Sequence, residues 1–242
     1  MPSTPANADS GGYTLSNTKN LRHNEAMPID LTIAVLQQEA ALFAAQESQH
    51  AEPTLYGVTD GKAIGTYLEH KFQRFLLQKY THVFGSSARG IDFPELGVDL
   101  KTTSFRQPQS SCPFQSARQK VHGLGYHLLV FVYDKTDDPE ARAGKLNILH
   151  TIFIDQSKTA DYQTTTGLRQ IVDNNGNLDD ILAFFEERML PLDDIQAQAL
   201  AEEVLTNPPE LGYLTISNAL QWRLQYSRVI QQAGNVSGIE RL

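Results

Sequence analysis

A single cysteine, Cys112, stands among the 242 residues. That excludes a disulfide framework and a cysteine-rich zinc site, and it suits a reducing cytoplasm, the expected location. No apolar run approaches the roughly 20 residues that a membrane helix needs. The N-terminus lacks a charged-then-apolar signal pattern. Positive charge is also scarce: 20 Lys and Arg face 28 Asp and Glu, a formal net charge of −8. Nucleic-acid binders usually carry a surplus of cations, so composition counts against such a partner unless the few Lys and Arg are clustered where phosphates bind. There is no internal repeat. What remains, 40% hydrophobic and 20% charged residues, is ordinary for a globular unit.

Residues 1–26 are polar and rich in Ser, Asn and Gly, which predicts a flexible arm. Helical spacing follows over 29–48, with Ile33, Leu36, Ala40 and Phe43 on one side. A start signal at Thr59 or Asp60 opens a second helix over about 62–80, striped by Ile64, Leu68, Phe72, Phe75 and Leu76. Glu69 sits at the edge of that stripe. Three segments read as strands: VDLKTTS (98–104), the apolar YHLLVFVYD (126–134) and LNILHTIFID (146–155). Between the first two, PFQSARQKVHGLG reads as a short helix ending at glycine, which predicts a βαβ crossover. LDDILAFFEERML and DDIQAQALAEEVLTN are further helices, punctuated by Pro191 and by Pro208 and Pro209.

GIDFPELGVDLKTTS (90–104) concentrates the chemistry. It gathers Asp92, Glu95 and Asp99, then places Lys101 two residues after Asp99, on the same face of a strand. Crowded acids repel one another and cost stability unless a cation joins them. Phosphodiester hydrolysis needs an activated water and neutralised charge; carboxylate-held Mg²⁺ and a neighbouring lysine supply both. Acid-x-Lys triplets arise by chance, and the chain has two others: Asp60-Gly-Lys62 and Glu69-His-Lys71. The first lies at a helix start, where Asp60 reads as a cap; the second lies mid-helix, where the two ends do not share a face. Only Asp99-Leu-Lys101 lies on a strand with an aspartate upstream. A plain cross-strand ion pair is the alternative for Asp99 and Lys101, and a solvated helix flank is the alternative for Glu69. His150 and Asp155 alternate with core residues on one strand and read as structural.

This stretch resembles the active-site motif of the PD-(D/E)XK nuclease superfamily, the fold of most type II restriction endonucleases. The gap of seven between Asp92 and Asp99, with the wording PELGVDLKT, is most similar to the mismatch-repair nicking endonuclease and its restriction-enzyme relatives. KAIGTYLE also resembles that group, where a helix glutamate adds a carboxylate to the metal site. The resemblance covers roughly residues 60–135. It implies that Asp92 and Asp99 hold Mg²⁺, one or two ions per site, with the Leu100 carbonyl as an extra oxygen. Lys101 would then be the catalytic lysine and Glu69 the helix carboxylate. One departure is that Asp92 follows isoleucine, with Pro94 coming two residues later. Asp92 and Glu95 therefore both stand as the nearer ligand.

If the chain cuts DNA, two segments are expected to hold it. SFRQPQSSCPFQSARQK carries Arg106, Gln107, Gln109, Gln115, Arg118, Gln119 and Lys120, side chains suited to base edges and phosphates. TISNALQW, LQYSRVIQQAG and NVSGIERL resemble a helix-turn-helix with a trailing wing, placing Gln225, Tyr226, Ser227 and Arg228 at the start of a recognition helix. The bland alternatives are a polar loop with an amphipathic helix, and a helical hairpin packed on the core.

The expected architecture is α/β: a restriction-endonuclease-like three-layer core with a mixed sheet flanked by helices over 27–190, and a helical C-terminal region over 191–242. The expected activity is that of a type II restriction endonuclease, a Mg²⁺-dependent site-specific deoxyribonuclease acting on double-stranded DNA as a homodimer, with no small-molecule cofactor and no membrane. A mismatch-repair-type nicking endonuclease is the alternative within the same chemistry. From another class comes a non-catalytic helix-turn-helix regulator, which has no use for Lys101 beside Asp99.

Overall fold

The unbroken apolar run at 128–133 reflects a strand covered on both faces. The computed structural model describes residues 29–81, 90–112, 115–217 and 222–242; the N-terminal arm expected over 1–26 lies outside them. In chain order the elements are β1 (Ile29–Asp30), α1 (Ile33–Glu47), β2 (Ala51–Glu52), α2 (Gly61–Leu77), β3 (Tyr80–Thr81), β4 (Val98–Ser104), β5 (Gln109–Cys112), α3 (Arg118–His122), β6 (His127–Asp138) and β7 (Ala143–Ile154). They continue with α4 (Tyr162–Asp173), α5 (Leu178–Glu187), α6 (Asp194–Thr206), β8 (Thr215–Ile216), β9 (Trp222–Gln225), α7 (Ser227–Gln232) and β10 (Ile239–Arg241).

The central sheet runs β10-β7-β6-β4, with β2 also paired to β7. β4 and β6 are parallel, joined through α3 as the expected crossover, while β6 and β7 are antiparallel. The sheet is therefore mixed and flanked by helices, an α/β architecture compatible with the expected one. Residues of β6 alternate between two cores. Leu129, Phe131 and Tyr133 join Leu36, Phe43, Leu68 and Phe72 of α1 and α2 on one side. Leu128, Val130 and Val132 join Trp222, Leu224, Tyr226 and Val229 on the other. A third core, with Val121, Leu168, Ile181 and Leu200, holds α3 to α6 together.

The helix signals act as the sequence predicts. Thr32 Oγ1 accepts from Val35 N at the start of α1, and Asp60 Oδ1 accepts from Lys62 N at the start of α2. α4 went unpredicted, because Thr164 and Thr165 take the buried positions beside Leu168. Its cap, Asp161, is buried and does more than cap: Oδ1 accepts from Thr164 N and Thr164 Oγ1, both at 2.8 Å, and Oδ2 accepts from Ile216 N, also at 2.8 Å.

The C-terminal region contains α6 and α7 but is not wholly helical. β8 and β9 pair antiparallel, and β9 pairs with β5, giving a separate three-stranded sheet β5-β9-β8. β10 returns to the central sheet beside β7. The expected helix-turn-helix is not formed by the described residues. Trp222–Gln225 is a strand with alternating burial, and the helix after it has six residues. Residues 218–221, the middle of the expected first helix, lie outside the described ones.

Candidate active site

β4 lies at one end of the central sheet's strand order, and its two faces differ in chemistry. Val98 and Leu100 face the α2 core. Asp99 and Lys101, one residue out of phase, carry the opposite face, as the alternation predicts. Phe93 forms a bridge to Val98, and this turn brings Asp92 back over the strand. Asp92 Oδ2 accepts a 2.8 Å hydrogen bond from Leu100 N, which fixes its carboxyl beside Asp99. Glu95 is exposed on the outside of the same turn. Of the two aspirants, Asp92 is therefore the one adjoining Asp99.

From α2, Glu69 completes the arrangement. The Asp92 carboxyl is within hydrogen-bonding reach of both Glu69 and Asp99. Burial, reinforced by the Asp92 charge, pushes the Glu69 carboxyl up to about 7. Burial likewise raises Asp99 to about 7, against the opposing pull of Lys101 and with Asp92 adding to the rise. Burial alone would depress the Lys101 ammonium, but Asp99 and Asp92 hold it above its ordinary value.

The Lys101 Nζ stands 2.6 Å from Asp99 Oδ2. The two form a close ion pair, with Asp99 2% exposed and Asp92 adjoining it. Among the described residues no three His, Cys, Asp or Glu side chains converge on one point as a finished metal cage would. The donor chemistry nevertheless fits a hard divalent cation: three carboxyl groups stand in a chain of contacts, and two of them, Glu69 and Asp99, are raised by burial and so hold protons that a metal would displace.

The other acid-x-Lys triplets behave as decoys. Asp60 caps α2, and Lys71 turns away from Glu69 to pair with Glu47 at 2.8 Å. His150 Nδ1 lies 2.6 Å from Arg241, whereas Asp155 pairs with His127 at 3.2 Å, so the two do not converge.

Glu69, Leu100 and Lys101 line an open cavity of about 1100 Å³, whose walls also include Lys62, Arg106, Gln107, Gln109, Ser111 and Arg223. The sequence pattern of the family described as "Type II restriction enzyme NspV" matches residues 30–241. The type II restriction enzyme NspV of Nostoc sp. is 61% identical over 209 residues, covering 86% of this chain and 95% of that protein. The chain belongs to the NspV family of type II restriction enzymes. As an NspV-family member it is a type II restriction endonuclease. No solved structure matches it.

The residues expected to hold DNA fall in different settings. Arg106, Gln107 and Gln109 line the cavity next to Lys101, with the exposed Arg106 only 3.4 Å from Asp134. Gln225 and Ser227 are exposed. The Arg228 guanidinium stands over Tyr162, its Cζ 3.5 Å from the ring centroid.

Two other expectations need correction, and a third residue is engaged in an ion pair. Arg118 forks onto Glu203 through Nε and Nη2, tying α3 to α6, and does not line the cavity. Lys120 is 5% exposed, with its ammonium 6.0 Å from the Trp222 ring centroid, so it cannot reach phosphates. Tyr226 is wholly buried, its hydroxyl 2.5 Å from Ser110 Oγ. Lys120 and Tyr226 are polar side chains that looked like surface ligands and are spent on internal packing, whereas Arg118 stays exposed in an ion pair. Sequence reasoning missed Arg223, Lys62 and Ser111. Of these, only Arg223 had a local signal, the period-two alternation of WRLQ.

Proposed function

We propose that this restriction endonuclease hydrolyses phosphodiester bonds of double-stranded DNA at a short specific sequence, using Mg²⁺ in the manner of PD-(D/E)XK enzymes. The observation that carries the proposal is the contact chain Glu69–Asp92–Asp99–Lys101 beside a cavity with exposed cations on its walls. Asp92 and Asp99 would hold the metal with the Leu100 carbonyl, and Glu69 would complete the site or take a second ion. When bound, Mg²⁺ supplies Lewis-acid polarisation of the phosphate and lowers the pKa of a water.

The chain's own groups do the rest. The Leu100 N–H presets Asp92 before any ligand arrives. Lys101, held charged by its acidic neighbours, orients the attacking water and offsets negative charge gathering on the phosphate. Two strands need two such centres, and a homodimer supplies them with the two-fold symmetry of a palindromic target.

The test incubates supercoiled plasmid with the protein in Mg²⁺ or in Ca²⁺, alongside Lys101→Ala. Discrete fragments are expected with Mg²⁺ alone. Lys101→Ala should cut about 10²- to 10⁴-fold more slowly while still binding duplex in Ca²⁺. Open circles with no linear product would instead mean a nicking enzyme of the mismatch-repair kind.

A further inference from the structure

The β5-β9-β8 sheet has two unlike faces. Cys112, Ile216, Trp222 and Leu224 turn inward and are buried in the second core. Residues opposite one another in an antiparallel pair share a face. The pairs Gln109–Gln225, Ser111–Arg223 and Thr215–Gln225 therefore place Gln109, Ser111, Thr215, Arg223 and Gln225 together on the outer face. Ser111, Arg223 and Gln225 are exposed. In a chain of net charge −8, this face carries a guanidinium, two carboxamides and two hydroxyls, with no carboxylate. Gln109, Ser111 and Arg223 line the cavity that also receives Lys101 and Glu69.

We propose that this outer face is the base-reading surface of the enzyme, with Arg223 recognising a guanine and the Gln109–Gln225 pair recognising adenine. The inference rests on the proposed cleavage of double-stranded DNA. A B-DNA major groove, about 12 Å wide, admits a narrow β-ribbon. A guanidinium fork fits the O6 and N7 of guanine, and a carboxamide fits the N6 and N7 of adenine. The buried inner face fixes the strands that carry these groups, which is what base reading needs and phosphate attraction does not. The same cavity joins the reading face to Lys101, so a duplex seated on one meets the other.

Sequencing the fragment ends made by wild-type enzyme in Mg²⁺ defines the site. Duplexes carrying that site, and every single-base-pair change of it, are then titrated in Ca²⁺ by fluorescence anisotropy with wild type, Arg223→Ala, Arg223→Lys and Gln225→Ala. Arg223→Ala is expected to lose about 10- to 100-fold of discrimination at one G·C position and to leave the others intact. Arg223→Lys, which keeps the charge but not the planar fork, should lose part of it. Gln225→Ala should relax an A·T position. Equal weakening on every duplex, with a salt slope smaller by about one, would reassign Arg223 to phosphate and overturn the proposal. Unchanged discrimination overturns it too. A wild-type enzyme that produces no discrete fragments removes the cleavage reading itself, a result separable from either of these.

Discussion

The central sheet and the β5-β9-β8 sheet are built from the same kinds of strand but used differently. β6 buries both of its faces over residues 128–133, so each side chain there serves packing. The smaller sheet buries one face and leaves the other polar and open. β4 stands between these cases, with Val98 and Leu100 in the α2 core and, on the other face, the buried Asp99 followed by Lys101 at the cavity wall. A face not filled by apolar side chains can hold charged and polar groups that are poor for stability.

The sharpest way to break this comparison is to exchange the costs. Phe131 is fully buried, with ring centroids 5.3 Å from Phe72 and 5.6 Å from Phe43. Phe131→Ala should lower stability by about 3–5 kcal/mol in urea denaturation, with cleavage per folded molecule little changed.

The acidic face should respond in the opposite sense, and through pH. Folding raises Glu69 from 4.5 and Asp99 from 3.8 to about 7 each, so the folded protein holds protons that the unfolded chain would release. Their favourable contribution is complete below the unfolded values and is lost as pH climbs through about 7. In metal-free protein, wild type should therefore lose thermal stability relative to Asp99→Asn between about pH 4 and pH 8, and Mg²⁺ should narrow the gap at the alkaline end. A gap that widens toward acid pH would contradict the electrostatic account of this face.

The smallest effect is expected at Arg118. Its pair with Glu203 is more than half exposed on the arginine side, so Arg118→Ala should cost under about 1 kcal/mol and leave duplex affinity in Ca²⁺ unchanged.

Legibility in the sequence followed the range over which each signal acts. The helices α1, α2, α5 and α6 and the strands β4, β6 and β7 announce themselves through periodicity within one segment. Asp92, Asp99 and Lys101 share a single turn and strand, and Glu69 was marked by its position at the edge of a helical stripe. α4 hid because threonines stand where apolar residues were sought. The three-stranded sheet hid because β5 contains one apolar residue and β9 has only four residues, too few to tell a strand from half a helix. The outer face of that sheet exists only once Gln109 and Gln225 are brought opposite each other. Lys120 and Tyr226 misled for the converse reason: residue type alone does not say which polar groups the core has absorbed.

Asp161 has a bearing on attempts to retarget the enzyme. One buried carboxylate is shared between the first turn of α4 and the backbone of β8. Lifting the small sheet out as a cassette would strand that carboxylate in a dry interior with one of its three donors gone. New sequence preferences are better sought by changing outward side chains one at a time on the existing strands, leaving the main chain and its shared anchor in place.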